Sequence, residues 1–95
     1  MVQKSDILTA KQAIEGALWK FVNQSASAKV HVFETEWGHL RALVGSGAFK
    51  AMRIVDRLDL IWKYLREHVN QEDLVHLSRV DPMDLAEYDA HVAEV

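Results

Sequence analysis

Apolar residues recur along this chain with two different periods, and the changes of period mark the elements. Between Ala10 and Val22 they return every three or four positions, at Ala10, Ala13, Ile14, Ala17, Leu18, Phe21 and Val22, as on one face of a helix. Thr9 followed by Gln12 is a capping-box pattern, and Leu8 and Ala13 are placed for a hydrophobic staple, so this helix is expected to begin near Thr9. The polar break Asn23-Gln24-Ser25-Ala26-Ser27 ends it. Lys29 to Thr35 is then rich in β-branched residues and predicts a first strand, and the mostly apolar His39 to Val44 predicts a second. Gly45-Ser46-Gly47 stops that run and predicts a tight turn with unusual backbone angles.

From Phe49 onward the period is helical again. Phe49, Met52, Val55, Leu58, Ile61, Trp62, Leu65 and Val69 form an apolar stripe, with Arg53, Asp56, Asp59, Lys63 and Arg66 mostly off it. The helix is expected to fray between His68 and Gln71 and to lead into a third strand, Leu74 to Val80. Asp81-Pro82 offers an N-cap and a proline at the first helical position, predicting a short terminal helix with Leu85, Tyr88 and Val92 inward.

The fold class expected from this order is a single α+β domain, α-β-β-α-β-α. Only Thr35 to Gly38 separate the first two strands, which makes them an antiparallel hairpin. A helical crossover joins strands two and three, which makes that pair parallel and right-handed. The result is a three-stranded mixed sheet with helices packed on one face. If strands two and three are neighbours they start at the same edge, about 4.8 Å apart. His39 and His76 then share that edge.

Composition narrows the function classes. A chain of 95 residues makes one domain with one modest core, and 49% hydrophobic with 26% charged residues matches an ordinary globular protein. No apolar run is long enough to span a bilayer, and the amino terminus MVQKSDIL has no signal-peptide core, so a cytoplasmic protein without membrane contact is expected. There is no cysteine, hence no disulfide and no thiolate ligand or nucleophile from this chain. A formal charge of −3 gives no basic footprint for nucleic acid.

The stretch from His39 onward resembles the BolA-like proteins, a family related in fold to the type II KH module. The matching residues are a His-apolar opening of strand two, Ser46 at its end, Phe49 three positions later, Arg57 on the helix and Ile61-Trp62 beyond it. Val75-His76-Leu77-Ser78 is similar to the family's C-terminal histidine segment, and Tyr88 stands where an aromatic is common. The resemblance implies a non-enzymatic adaptor that binds a monothiol glutaredoxin and shares a [2Fe-2S] cluster with it. In that reading His76 and His39 are the candidate ligands from this chain, thiolates come from the partner and glutathione, and Arg57 belongs to the partner surface. Histidine in place of thiolate raises a cluster's reduction potential. The chain departs from the family where Arg57 is followed by Leu58-Asp59 rather than by basic residues, at Ala51, and at Gly45.

The remaining candidates have plainer readings. His31 alternates with Val30 and Val32 and belongs on the exposed sheet face; His68 suits a helix C-terminus; His91 reads as a solvated tail residue. Trp19 and Trp62 lie with apolar neighbours and are expected at the core or its edge. Trp37, in the hairpin turn between Glu36 and Gly38, cannot easily reach a core and is the best candidate for a partner contact. Glu34, Glu36, Asp56 and Asp59 lack a desolvated pocket that would separate their pKa values, and Gly45-Ser46-Gly47 matches no phosphate-binding loop, so no catalytic residues are assigned. Two alternatives stay open: a KH-like nucleic-acid-binding or transcription-regulating domain, although no Gly-x-x-Gly clamp is visible, and an interaction module, including a homodimer, that has lost the cluster site.

Overall fold

The computed structural model describes residues 6–22 and 27–93, so most of the polar break, Asn23 to Ala26, lies outside the described residues. The elements are α1 (Ile7–Phe21), β1 (Lys29–Glu34), β2 (Leu40–Gly45), a 3-10 turn (Gly47–Phe49), α2 (Ile54–His68), α3 (Gln71–Leu74), β3 (Leu77–Met83) and α4 (Leu85–Ala93). The three strands form one mixed sheet in the order β1-β2-β3. β1 pairs antiparallel with β2, from Lys29 opposite Gly45 to Glu34 opposite Leu40, and β2 pairs parallel with β3, from Leu40 beside Leu77 to Gly45 beside Met83. The α+β class, the hairpin and the parallel crossover are those expected from the sequence.

Alternation along the strands divides the sheet into two faces. Val32, Leu40, Ala42, Val44 and Val80 face a core completed by Ile14 and Leu18 of α1, by Phe49, and by Ile61 and Leu65 of α2. A fully buried side chain of this kind contributes about 1.5–3 kcal/mol by leaving water. His31, Phe33, Arg41, Leu43, Gly45, Arg79, Asp81 and Met83 alternate onto the other face. α1 and α2 cover the core face, as expected. α4 crosses to the opposite one: a Cβ built on Gly45 would lie 2.9 Å from Tyr88 Cγ, so the glycine gives the Tyr88 ring its place against β2.

Several local expectations are corrected. α1 begins at Ile7, not near Thr9, because the Asp6 carboxylate accepts the Leu8 N–H and Asp6 is the N-cap. Leu8, expected just before the N-cap and paired with Ala13 in a staple, lies inside the helix and is 57% exposed. Gly45 continues β2, and among the described glycines only Gly38 has a positive φ, at 77°. Phe49 and Met52 precede α2 rather than opening it. The chain is extended at Arg53, and Val55 is 54% exposed, since the stripe's phase breaks there.

The segment after α2 is corrected as well. Gln71–Leu74 forms a short helix, and the third strand starts only at Leu77. Asp81 and Pro82, expected to start the last helix, are inside β3. β3 is an edge strand, and the Pro82 carbonyl accepts from Arg57 rather than from β2. Since N–H and C=O of one residue lie on the same side of a strand, the position without N–H faces away from the ladder, where proline is tolerated. α4 is instead opened by a reciprocal box: the Asp84 carboxylate accepts the Glu87 N–H at 2.8 Å, and Glu87 Oε1 accepts the Asp84 N–H at 3.0 Å. Leu85 and Tyr88 are half-buried, but Val92, expected inward, is 49% exposed.

Candidate functional site

The hairpin turn, the start of β2 and the start of β3 lie at one end of the sheet. The turn is tied by its backbone: the Thr35 N–H donates to His39 O at 2.7 Å, and the Gly38 N–H donates to Thr35 O at 3.0 Å. Thr35 Oγ1 also accepts the His39 N–H at 3.3 Å. Gly38 supplies the left-handed conformation that lets the chain reverse within this loop. The tip carries Trp37, which is 80% exposed. The turn's hydrogen bonds fix the backbone that carries the indole, and the indole itself stands in water.

The parallel register makes His39 and His76 backbone neighbours at this end. Leu40 lies beside Leu77, and the Leu40 N–H donates to His76 O at 2.8 Å, so the residues just before each strand are neighbours across the first rung. α3 and its C-cap bring His76 there, with the His76 N–H donating to Asp73 O at 3.2 Å. The register then slips between Leu40 and Arg41, where the Ser78 hydroxyl donates to Leu40 O at 3.1 Å. His39 is exposed, and His76 is half-buried with a partner inside the fold. Among the described residues no three His, Cys, Asp or Glu side chains are grouped to hold a metal.

Arg57 sits elsewhere and is held inside the fold. Its side chain is 6% exposed. Nε donates to Met52 O at 3.0 Å, and Nη1 donates to Pro82 O at 3.3 Å and to Glu87 Oε1 at 3.0 Å. The guanidinium also lies 5.8 Å from the Phe49 ring centroid. It ties α2, β3 and α4 together, with little surface left to offer a partner. The Glu87 N–H holds the Asp84 carboxyl below its usual range, helped by the Glu87 side chain and the Arg57 charge against the opposing effect of burial. Burial, with Asp89 nearby, pushes the Tyr88 hydroxyl up.

The other histidines and tryptophans are partly as expected. His31 is exposed on the sheet face, and its ring lies 5.1 Å from that of Phe33 at 25°. His68 Nδ1 lies 2.9 Å from Tyr64 O in the last turn of α2. His91 is no solvated tail residue: it is half-buried and lines a depression on the second sheet face. Trp19 and Trp62 pack against the edge of the core. Not foreseen were Arg41 and Arg79, which meet at Asp81; the period-two alternation of β2 and β3 placed them on one face, but only the parallel register brings them side by side.

No protein-family model, curated protein or solved structure matches the chain. No helix among the described residues is long and apolar enough to cross a membrane.

Proposed function

We propose that this chain is a non-enzymatic, BolA-like adaptor that binds a monothiol glutaredoxin and shares a [2Fe-2S] cluster with it through His76 and His39. The observation that carries the reading is the adjacency of these two histidines at the start of two parallel strands. The order of elements and the resemblance of the His39 to Trp62 stretch support it. So does the donor set: with no cysteine in the chain, every thiolate has to come from the partner or from glutathione. Bound, the cluster would supply one-electron and transfer chemistry, at a potential raised by histidine ligation. This chain's own residues would offer imidazole nitrogen from the end of a fixed sheet and a contact surface at Trp37. The cytoplasm, where glutathione keeps thiols reduced, is the compartment in which the complex would work.

Anaerobic co-expression with a monothiol glutaredoxin, followed by size-exclusion chromatography and a visible spectrum, tests the proposal. A coloured heterocomplex is expected, with its absorption lost in His76→Ala and its formation weakened in Trp37→Ser. A complex that stays colourless would reduce the chain to a binding module and remove the redox part. No complex with any monothiol glutaredoxin would remove the whole reading.

A further inference from the structure

The second face of the sheet carries a site independent of the histidine pair's proposed cluster. Its centre is Asp81, 18% exposed, which accepts from two arginines at once: Arg41 Nε at 2.7 Å on Oδ2 and Arg79 Nε at 2.9 Å on Oδ1. Both contacts use Nε, so each guanidinium keeps its terminal amino groups as donors while one carboxylate fixes its orientation. Two cations sharing one anion leave a single positive charge in excess. This is the arrangement that suits one phosphate or carboxylate group, since a guanidinium presents paired, coplanar donors to such an anion.

Beside the arginines lies a depression of about 500 Å³ lined by His31, Phe33, Arg41, Leu43, His91 and Val92. A volume of that order is within the usual range of small-ligand sites, about 300–1,000 Å³. The His31 and Phe33 rings, 5.1 Å apart and inclined by 25°, make one wall with Leu43, which is 4% exposed; α4 closes the opposite side with His91 and Val92. A smaller depression of about 230 Å³ adjoins it, since Arg41 and His91 line both, and reaches Arg79 and Asp81. Glu87, which also lines the smaller one, is already held by Arg57 at 3.0 Å. On this face, which α4 covers in part, the strands carry Lys29, Arg41 and Arg79 against Asp81 alone, on a chain of formal charge −3.

We infer that this face binds a small anion with a planar ring, of the size and chemistry of a mononucleotide, with its phosphate on Arg41 and Arg79 and its ring against Phe33 and His31. One excess charge at the arginine pair, in an acidic chain, is too little to track a strand of phosphates but enough for one phosphate group. A bounded depression with an aromatic wall adds selectivity for a ring that a bare ion lacks.

The test is a titration of the isotopically labelled chain with adenosine monophosphate, followed by amide chemical shifts. Adenosine, inorganic phosphate and a short oligoadenylate are the comparison ligands. Saturable shifts confined to the His31–Phe33, Arg41–Leu43, Arg79–Asp81 and His91 positions are expected, with adenosine and phosphate each binding roughly tenfold or more weakly than the nucleotide. Arg79→Gln, at a side chain 64% exposed, removes one donor fork without disturbing the core, and Phe33→Leu removes the ring but keeps an apolar group. Each is expected to weaken binding by roughly tenfold. No shifts on this face at millimolar nucleotide, or binding unchanged in both variants, would overturn the inference. Inorganic phosphate binding as tightly as the nucleotide would do the same, and so would an oligoadenylate binding far more tightly.

Discussion

Replacing Arg57 by methionine, which keeps the length and apolar stem of the side chain, asks whether one buried cation holds the second half of the fold together. Arg57 is 5% exposed and satisfies the carbonyls of Met52 and Pro82 as well as the Glu87 carboxylate. A hydrogen bond to a charged group contributes about 1.5–3 kcal/mol, and a buried acceptor left without a donor costs about 1–3 kcal/mol. The Glu87 side chain is 47% exposed, so solvent screening limits its ion pair to under about 1 kcal/mol. Removing a buried charge returns part of its desolvation cost. The net expectation is a loss of about 3 kcal/mol, carried mainly by the two carbonyls. Urea unfolding followed by circular dichroism should show the midpoint falling by about 2 M with an unchanged slope, taking a slope of about 1.5 kcal/mol per molar for a domain of this size. Glu87→Gln should cost far less than Arg57→Met. A loss under about 1 kcal/mol in Arg57→Met would refute the assignment of Arg57 as the tie between α2, β3 and α4. Equal losses in the two variants would show that the carboxylate, not the carbonyls, carries the effect.

Two further outcomes concern α4. Gly45→Val should destabilise the chain by about 1–3 kcal/mol, the usual cost of overpacking, because even its first carbon would meet the Tyr88 side chain at 2.9 to 3.1 Å; a thermal melt superimposable on the original would contradict the packing of α4 on β2. Asp84 has a lowered folded-state pKa, so its contribution to the α4 box is fully present above its unfolded value, roughly pH 4, and is lost as pH falls through the lower folded one. An acid titration of stability should therefore lose a step in Asp84→Asn, and an unchanged profile would count against the box.

What was legible in the sequence depended on how local the deciding interaction was. The hairpin followed from the short Thr35 to Gly38 link, and the parallel pair followed from the helical crossover, so the adjacency of His39 and His76 could be anticipated from order alone. The start of α1 was misplaced because Asp6 and Thr9 are both good N-cap residues, and Ile7 packing against the core decides for the earlier one. At the other end, Asp81-Pro82 and Asp84-x-x-Glu87 were competing start signals. The second wins because Asp81 is held by two arginines and Pro82 by Arg57, which fix both residues in the strand. Phe49 and Met52 kept the helical period without being in the helix, since a 3-10 turn followed by an extended residue can bury the same side.

The candidate chemistry shows the same limit from another side. A net charge of −3 is a count over the whole chain, whereas recognition depends on charge per face. Alternation sends Arg41 and Arg79 to the face that lacks α1 and α2, and Glu87 of α4, which packs on that face, is already held by Arg57. No periodicity in one strand reveals that pairing: Arg41 and Arg79 are brought together only by the parallel register and the slip at Ser78, which shifts β3 by one residue after Leu77. Without that slip Ser78 would stand beside Arg41, and Arg79 would turn to the core face. The irregularity next to the histidine pair thus also sets the arginine pair: deleting Ser78, the residue without a partner on β2, should close the ladder and leave Arg79 beside Arg41, and Ser78→Ala, which removes only the hydroxyl bond to Leu40 O, should leave the slip in place, so amide chemical shifts at Arg41 and Asp81 that collapse in either variant would refute the account of the register.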